Sequence, residues 1–363
     1  MEDAREIKQE LWIVLQDMKR AFDSVSWEML QKAMRRIRIP EEYITLYRNI
    51  YTKRSNRVLT AFGVTKSYEV GDGLDQGGVE SPLHWQIFYD PLLQEVGEMT
   101  KHGYVMRAQW TTNIKTEEKT ELTHCISHAA FVDDTTWAAR GRGEMQTILR
   151  TATEFFKIND IEVNTNKTKV ITINATAENR RKSLTFGDQN AKLKILKANE
   201  GTRILGVWFS EDGRLATHKA KLQEKVDNTV DTIKGKRITD KQAAYIIQRV
   251  LIPALEYMLN ICVLSQQECK NLETKYITLL KHKCGLARSA PNSLINHPSI
   301  YAVDPLWTVQ ARAHIANLHV RLQDQKATGI TTKIRLATMQ KARWSCIPYR
   351  KKPPKKYLNM RIT

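Results

Sequence analysis

Two runs of apolar residues, each ending in aspartate, constrain the fold of this 363-residue chain more than any other feature. The first, Leu11–Leu15, leads into Asp17, and the second, Ala129–Val132, leads into Asp133 and Asp134 about 115 residues later. An apolar run of this length predicts a buried strand, which would hold a carboxylate at its end in a fixed place. Because neighbouring carboxylates repel each other unless a cation lies between them, two such strand ends brought together predict a site for hard divalent metal ions.

The rest of the chain predicts an α+β fold followed by a helical region. Apolar positions spaced three and four residues apart predict helices from Trp27, from Pro40 to Tyr51 and from Ser81-Pro82, where the proline suits a first turn. The patterns also predict strands at 58–62, 67–70, 169–173 and 203–209, and a strand, a turn at Asp133-Asp134 and a return strand over 122–139. Residues 215–285 are helical in pattern and basic, and Pro253 is expected to kink or break one helix.

Composition predicts a soluble intracellular protein with a strongly basic C-terminal tail. The five cysteines form no Cys-x-x-Cys pair, which predicts free thiols in a reducing compartment, nucleus or cytoplasm. No signal peptide or apolar run long enough to span a membrane is evident. The formal charge is +18, and the residues after Asp324 contain eleven lysines and arginines and no acidic residue. That tail is either a solvated, disordered end or localisation signal, or a contact for a polyanion, where Trp344 and Tyr349 could stack on bases.

Taken singly, each acidic motif has an ordinary explanation, since aspartate often caps a helix or forms a turn. Their order along the chain is more specific. It resembles the succession of palm motifs in reverse transcriptases, and Asp-x-x-x-Ala-Phe-Asp at 17–23 most resembles the LINE-type, non-LTR retrotransposon branch. The residues that carry the resemblance are Asp17, Gln76-Gly77 with Ser81-Pro82, Phe131-Val132-Asp133-Asp134, Lys167-Thr168 and Leu205-Gly206.

The resemblance implies three parts. Residues 1–212 would form a reverse-transcriptase-like palm, an antiparallel sheet with helices packed on one face. Residues 213–324 would form an all-α, thumb-like region, and 325–363 would be the basic tail. Basic residues early in the thumb would follow a duplex backbone without reading its sequence; these are Lys219, Lys221, Lys225, Lys234, Lys236, Arg237 and Lys241.

The resemblance also implies the chemistry of the acidic residues. Nucleotidyl transfer needs an activated primer 3′-hydroxyl and a neutralised pyrophosphate, and two metal ions about 3.5–4 Å apart supply both. Asp17 and Asp133 would bridge the ions, Asp134 would be an auxiliary ligand, and the Met18 carbonyl would complete the nucleotide-side ion. A set of oxygen ligands favours Mg²⁺, with Mn²⁺ as a substitute. Lys167 would meet the leaving pyrophosphate as a general acid.

Further residues would select and hold the substrates. Phe22 would lie under the sugar of the incoming deoxynucleoside triphosphate and clash with a 2′-hydroxyl. Gln76 and Gly77 would face the nucleotide and the RNA template, and Leu205 with Gly206 would form the grip on the DNA primer. Each assignment has an alternative explanation. Phe22 could be a core aromatic, and Gln76 with Gly77 could form only a flexible turn. Lys167 could be a surface lysine, and Leu205 with Gly206 could form an ordinary β-turn.

Some positions differ from the family pattern, so more than one function is considered for the chain. Gly77-Gly78-Val79-Glu80 replaces the usual Gly-Asp-Pro after Gln76, and Val132 replaces the usual alanine. The resemblance also predicts that the fingers, which contact the triphosphate in the family, are not among these residues. The chain would then be an RNA-directed DNA polymerase or a truncated or inactive copy of one; the alternatives are a remnant that binds RNA or RNA/DNA without chemistry, and a metal-dependent nuclease.

Overall fold

The computed structural model describes residues 1–52, 54–113, 118–187, 190–213 and 215–342. The chain divides into two compact units. The first comprises Met1–Val105 with Cys125–Lys197, and the second comprises Met106–His124 with the chain from Ala198 onward. The predicted domain boundary, at residue 212, lies fifteen residues or so after this division.

Strands and helices alternate through the first 209 residues, and the described elements after Phe209 are helical. The strands are β1 (Leu11–Gln16), β2 (Arg54–Asn56), β3 (Leu59–Thr60), β4 (Gly63–Val64), β5 (Tyr68–Val70), β6 (Tyr104–Asn113), β7 (Glu118–Ile126), β8 (His128–Phe131), β9 (Asp134–Ala139), β10 (Lys169–Ile173), β11 (Thr185–Phe186), β12 (Ala191–Lys192), β13 (Lys194–Ile195), β14 (Thr202–Ile204) and β15 (Val207–Phe209). The helices are α1 (Glu2–Glu6), α2 (Trp27–Arg36), α3 (Glu41–Tyr51), α4 (Ser81–Glu98), α5 (Arg142–Ile158), α6 (Ala177–Arg181), α7 (Ala216–Lys234), α8 (Asp240–Ile246), α9 (Ile252–Leu259), α10 (Gln266–Lys283), α11 (Asn292–Asn296), α12 (Leu306–Gln323) and α13 (Ala327–Ala342).

A five-stranded sheet forms the centre of the first unit, in the order β13-β10-β1-β9-β8. The apolar run Leu11–Leu15 is its middle strand, paired antiparallel with β10 on one side and β9 on the other. β8 joins β9 antiparallel, and the edge strand β13 joins β10 in parallel. The strand predicted from the first apolar run is therefore confirmed, because a central strand buries its hydrophobic side chains.

Helices cover the face of this sheet that carries Trp12 and Val14. These two side chains share one core with Trp85 and Phe88 of α4 and Ile148 of α5, all nearly inaccessible to solvent. Helix α4 begins at Ser81 with Pro82 in its first turn, as predicted, because proline's missing N–H has no partner at that position. The predicted α+β class, a sheet with helices packed on one face, is confirmed.

The second acidic motif departs from the prediction in two ways: Ala129–Phe131 form an exposed edge strand rather than a buried one, and the turn is shifted by one residue. The two residues that connect β8 to β9 are Val132 and Asp133, since Phe131 pairs with Asp134. Asp134 is therefore the first residue of the return strand, and the turn is not formed by Asp133 and Asp134. A φ of +55° at Val132 explains the shift, because a two-residue hairpin turn needs positive φ at its first position.

The second unit is mainly helical, and its helix starts follow from the sequence. Thr239 with Gln242 and Ser265 with Glu268 form reciprocal capping boxes at the starts of α8 and α10. A π-helical turn, Ile247–Leu251, joins α8 to α9. Pro253 lies in the first turn of α9, so it follows this irregular turn rather than breaking a regular helix.

Two more predictions are modified in the second unit. The predicted strand 203–209 is a hairpin, β14 and β15, with Leu205 and Gly206 at its turn. Both turn residues have positive φ, +45° and +85°, which reverses the chain direction within two residues. The first part of the predicted basic tail forms α13, while its remainder from 343, including Trp344 and Tyr349, lies outside the described residues.

Over the described ranges, no helix is both long enough and apolar enough to cross a bilayer. Four cysteines of those ranges are free thiols: Cys125, Cys262, Cys269 and Cys284.

Candidate active site

The two predicted acidic strand ends lie side by side in the first unit. The register pairs Gln16 with Thr135, so Asp17 follows β1 opposite Asp134, the first residue of β9. Asp133 stands in the adjoining turn. Side chains alternate along a strand, so Asp17 and Asp134 point away from the face that carries Gln16 and the helices.

The three carboxylates affect each other electrostatically. Partial burial raises the pKa of Asp134 above its ordinary value, and the negative charges of Asp133 and Asp17 raise it further. A nearby cation would reverse this effect by favouring the ionised form. Within the ranges that the structure describes, however, no three acidic, histidine or cysteine side chains are already gathered closely enough to hold an ion.

The backbone of Asp17 is held by hydrogen bonds through both its N–H and its carbonyl. Its N–H donates to the Thr168 hydroxyl at 3.3 Å, and its carbonyl accepts from the Asn164 N–H at 2.9 Å. The Thr168 hydroxyl in turn donates to the Asn164 carbonyl and is fully buried. The loop before β10 therefore positions the backbone at this strand end.

Lys167, the predicted general acid, comes from the same loop. Its Nζ lies 3.9 Å from Asp17 Oδ2, and its side chain is 72% exposed. An exposed lysine beside a carboxylate can move toward an incoming anion at little cost, because such a pair contributes only about 0–1 kcal/mol.

A cavity of about 470 Å³ opens at Asp133, one of the three carboxylates. Its lining includes Phe22, Gln76, Gly77 and Asp133, so four of the predicted site residues share one space. Met18, whose carbonyl the resemblance implicates, also lines it. The structure thus brings the residues predicted to contact the nucleotide together with the carboxylate of Asp133.

The loop that carries Gln76 and Gly77 is fastened to the segment that carries Phe22. The Leu74 N–H donates to the Phe22 carbonyl at 2.8 Å, and Gln76 Nε2 donates to Asp23 Oδ1 at 3.3 Å. Gly77 has a φ of +105°, a conformation that favours glycine. The loop of Gln76 and Gly77, for which a flexible turn was the alternative explanation, is therefore held by hydrogen bonds to the Phe22 segment.

Three residues at this site were not predicted from the sequence. Arg20 lines the cavity and supplies a positive charge there. Arg54 is largely buried and holds the Gln76 loop by donating to the Gly73 carbonyl and pairing with Asp75. The Trp85 indole N–H donates to the Val132 carbonyl at 2.7 Å, directly before Asp133. Nothing in the spacing of Trp85 along its helix indicates a hydrogen bond to a turn 47 residues away.

Comparison with known proteins gives the family. Residues 1–209 match the family model described as "Reverse transcriptase (RNA-dependent DNA polymerase)". The chain belongs to the reverse transcriptase family. The prediction made from the ordered motifs is confirmed, and the match covers all the site residues discussed above.

Among curated proteins, this reverse transcriptase domain is similar to the retrovirus-related Pol polyprotein from type-2 retrotransposable element R2DM of Drosophila melanogaster. The two are 21% identical over 247 residues, which are 67% of this chain and 21% of the relative. The chain therefore spans about a fifth of the length of that polyprotein. The similarity agrees with the retrotransposon branch indicated by the motif at 17–23.

Similar solved structures include telomerases of two yeasts. The Candida albicans telomerase, solved with a fragment of telomeric RNA, is 12% identical with a TM-score of 0.47, over 93% of this chain and 50% of that one. The apo telomerase of Candida tropicalis is 11% identical with a TM-score of 0.41, over 93% and 54% of the two chains.

The predicted primer-grip residues Leu205 and Gly206 belong to the second unit. The Tyr257 hydroxyl donates to the Leu205 carbonyl, and a Cβ added at Gly206 would lie 3.3 Å from the Tyr257 ring. Two of the predicted duplex-contacting lysines form ion pairs, Lys219 with Glu268 and Lys221 with Glu224.

Gly206→Ala is expected to lower the free energy of unfolding of the protein by about 1 kcal/mol or more. The new methyl group would occupy a φ of +85° and press on Tyr257. Urea denaturation measures the loss. Gly235→Ala is the control, because Gly235 has a φ of −79° and open space around it, and it should be neutral or slightly stabilising. Equal effects of the two substitutions would contradict the strained turn.

Proposed function

We propose that this chain carries the polymerising site of a non-LTR retrotransposon reverse transcriptase, which copies an RNA template by extending a DNA primer with deoxynucleoside triphosphates. One observation carries the proposal. Asp17 follows β1 opposite Asp134, the first residue of β9, and Asp133 in the adjoining turn lines a cavity together with Phe22 and Gln76.

The donor set suits hard divalent cations, which reverse transcriptases generally use. The carboxylates of Asp17, Asp133 and Asp134 offer the oxygen ligands that Mg²⁺ prefers, and Mn²⁺ can replace it. Asp17 and Asp133 would hold the ions, with Asp134 as an auxiliary ligand. The ions would supply activation of the primer 3′-hydroxyl and neutralisation of the pyrophosphate.

The chain's other residues would orient the nucleotide. The Phe22 ring would lie under the deoxyribose, where a 2′-hydroxyl would collide with it. Gln76 and Gly77, held by their loop bonds, would contact the base pair being formed. Arg20 would bring positive charge toward the triphosphate, and the exposed Lys167 ammonium would give a proton to the leaving pyrophosphate.

The second unit would hold the nucleic acid. Leu205 and Gly206 would contact the primer end through their backbone, and the basic residues from α7 onward would follow the duplex backbone. Such phosphate contacts give affinity without sequence preference and weaken as salt increases.

An annealed RNA template and DNA primer, incubated with the chain, deoxynucleotides and Mg²⁺, tests the proposal. Extension of the primer is the expected result. Shortening of either strand would instead indicate a nuclease, and a gel shift without either reaction would indicate a nucleic-acid-binding remnant. Both of these outcomes would overturn the polymerase assignment.

A further inference from the structure

A buried polar network lies beneath the candidate carboxylates. The Gln16 side-chain amide donates to the Tyr89 hydroxyl oxygen at 3.3 Å, and the Thr135 hydroxyl donates to the same oxygen at 3.2 Å. The Trp137 indole N–H donates to Gln16 Oε1 at 2.8 Å. All four side chains are at most 4% exposed.

The network touches the two residues that adjoin the carboxylates. Gln16 directly precedes Asp17, Thr135 directly follows Asp134, and the two are paired across β1 and β9. Because side chains alternate along a strand, their side chains point to the helix face while the aspartates point away from it. One hydroxyl oxygen, that of Tyr89, therefore connects the ends of both acidic strands from behind.

Helix α4 supplies a second anchor one turn earlier. Trp85 and Tyr89 stack at 5.4 Å between ring centroids, and the Trp85 indole donates to the Val132 carbonyl. Val132 is a β-branched residue with a φ of +55°, a conformation that persists only where the surroundings impose it. The helix thus holds the chain on both sides of Asp133 and Asp134.

Stability alone does not explain polar side chains in a core, because a hydrophobic core of the same shape is often at least as stable. A fully satisfied network gives directional bonds and one defined geometry, which apolar contacts do not. Metal ligands are the groups that benefit most from such support, since residues behind the ligands tune affinity by about 10–100-fold.

We propose that Tyr89, assisted by Trp85, is a positioning residue that sets the spacing of Asp17, Asp133 and Asp134 for divalent cations. The inference rests on the function proposed above. Tyr89 does not touch the ions or the substrates, and it acts by holding Gln16 and Thr135 in one arrangement.

Tyr89→Phe tests the inference, since it removes the hydroxyl and keeps the ring. Mn²⁺ binding to the full chain is measured without nucleotide, from the loss of the EPR signal of the free ion. In Tyr89→Phe the affinity for Mn²⁺ should fall by about 10–100-fold. Primer extension by this variant should need more Mg²⁺ and should recover in part at high Mg²⁺, because ligand spacing and not the ligands has changed.

Two controls separate positioning from general destabilisation. Tyr276→Phe removes a buried hydroxyl with no hydrogen-bond partner among the described residues, and should leave Mn²⁺ binding unchanged. Ile148→Val trims the same core and should lower the melting temperature with no change in Mn²⁺ affinity. If Tyr89→Phe does not fold, Thr135→Val removes one bond of the network in an isosteric side chain and should weaken Mn²⁺ binding as well.

Unchanged Mn²⁺ affinity in folded Tyr89→Phe or Thr135→Val would overturn the positioning role while leaving the carboxylate site in place. Unchanged Mn²⁺ affinity in Asp133→Asn would have a different meaning. That result would overturn the proposed metal site itself, and with it the function on which the inference rests.

Discussion

Asp133→Asn is expected to lower primer extension by more than about 100-fold, since loss of residues that only support a metal ligand already costs about 10–100-fold. The substitution keeps the size of the side chain and removes the charge that would face a divalent cation. Asp133 lies in an exposed turn at the cavity, so the fold should be retained. Single-nucleotide extension under saturating Mg²⁺ measures the effect.

Binding of the RNA/DNA duplex by Asp133→Asn should remain nearly intact, because that affinity comes from basic side chains along the backbone. Asp160→Asn is a suitable control: Asp160 is exposed and has a φ of +51°, which asparagine tolerates well. The control should extend primers like the parent chain. Persistent extension by Asp133→Asn would show that the catalytic carboxylates are elsewhere.

The second large effect is expected for Phe22→Val. If the Phe22 ring excludes the 2′-hydroxyl, the smaller side chain should reduce the preference for deoxynucleotides over ribonucleotides by about 10–200-fold, the range that pocket size usually supplies. The ratio of kcat/KM for the two nucleotide classes is the measurement. Incorporation of deoxynucleotides should change much less than incorporation of ribonucleotides.

Phe22 also packs near Trp85, with 5.9 Å between the ring centroids, so a loss of packing accompanies the change. Phe155→Val provides the control, since Phe155 packs against the same core from α5 and does not line the cavity. It should lower stability without changing the nucleotide ratio. An unchanged ratio in Phe22→Val would leave Phe22 as a core aromatic, the alternative that the sequence analysis kept open.

Much of this site follows from local sequence. The apolar run before Asp17 is a central strand because five consecutive hydrophobic side chains are best buried between two neighbouring strands. Helix α4 begins where Ser81-Pro82 indicates, and its apolar positions face the core. These features depend on interactions within a few residues, which a sequence pattern records directly.

Other features depend on which distant segments pair, and the sequence pattern does not contain that information. The turn lies at Val132 and Asp133 because the register of β8 with β9 requires it, and a slip of one residue would reverse the direction of every side chain. The ion pair of Lys219 with Glu268, 49 residues away, has the same origin in long-range contacts.

The family, and Asp17, Asp133 and Asp134 as candidate ligands, are predicted from the linear order of short motifs. Long-range folding places Asp17 opposite Asp134, gives Phe22 and Gln76 a cavity shared with Asp133, and brings Trp85 and Tyr89 behind the strand ends. Local segments do not specify these features, because strand register and helix docking are set by the burial of many side chains together.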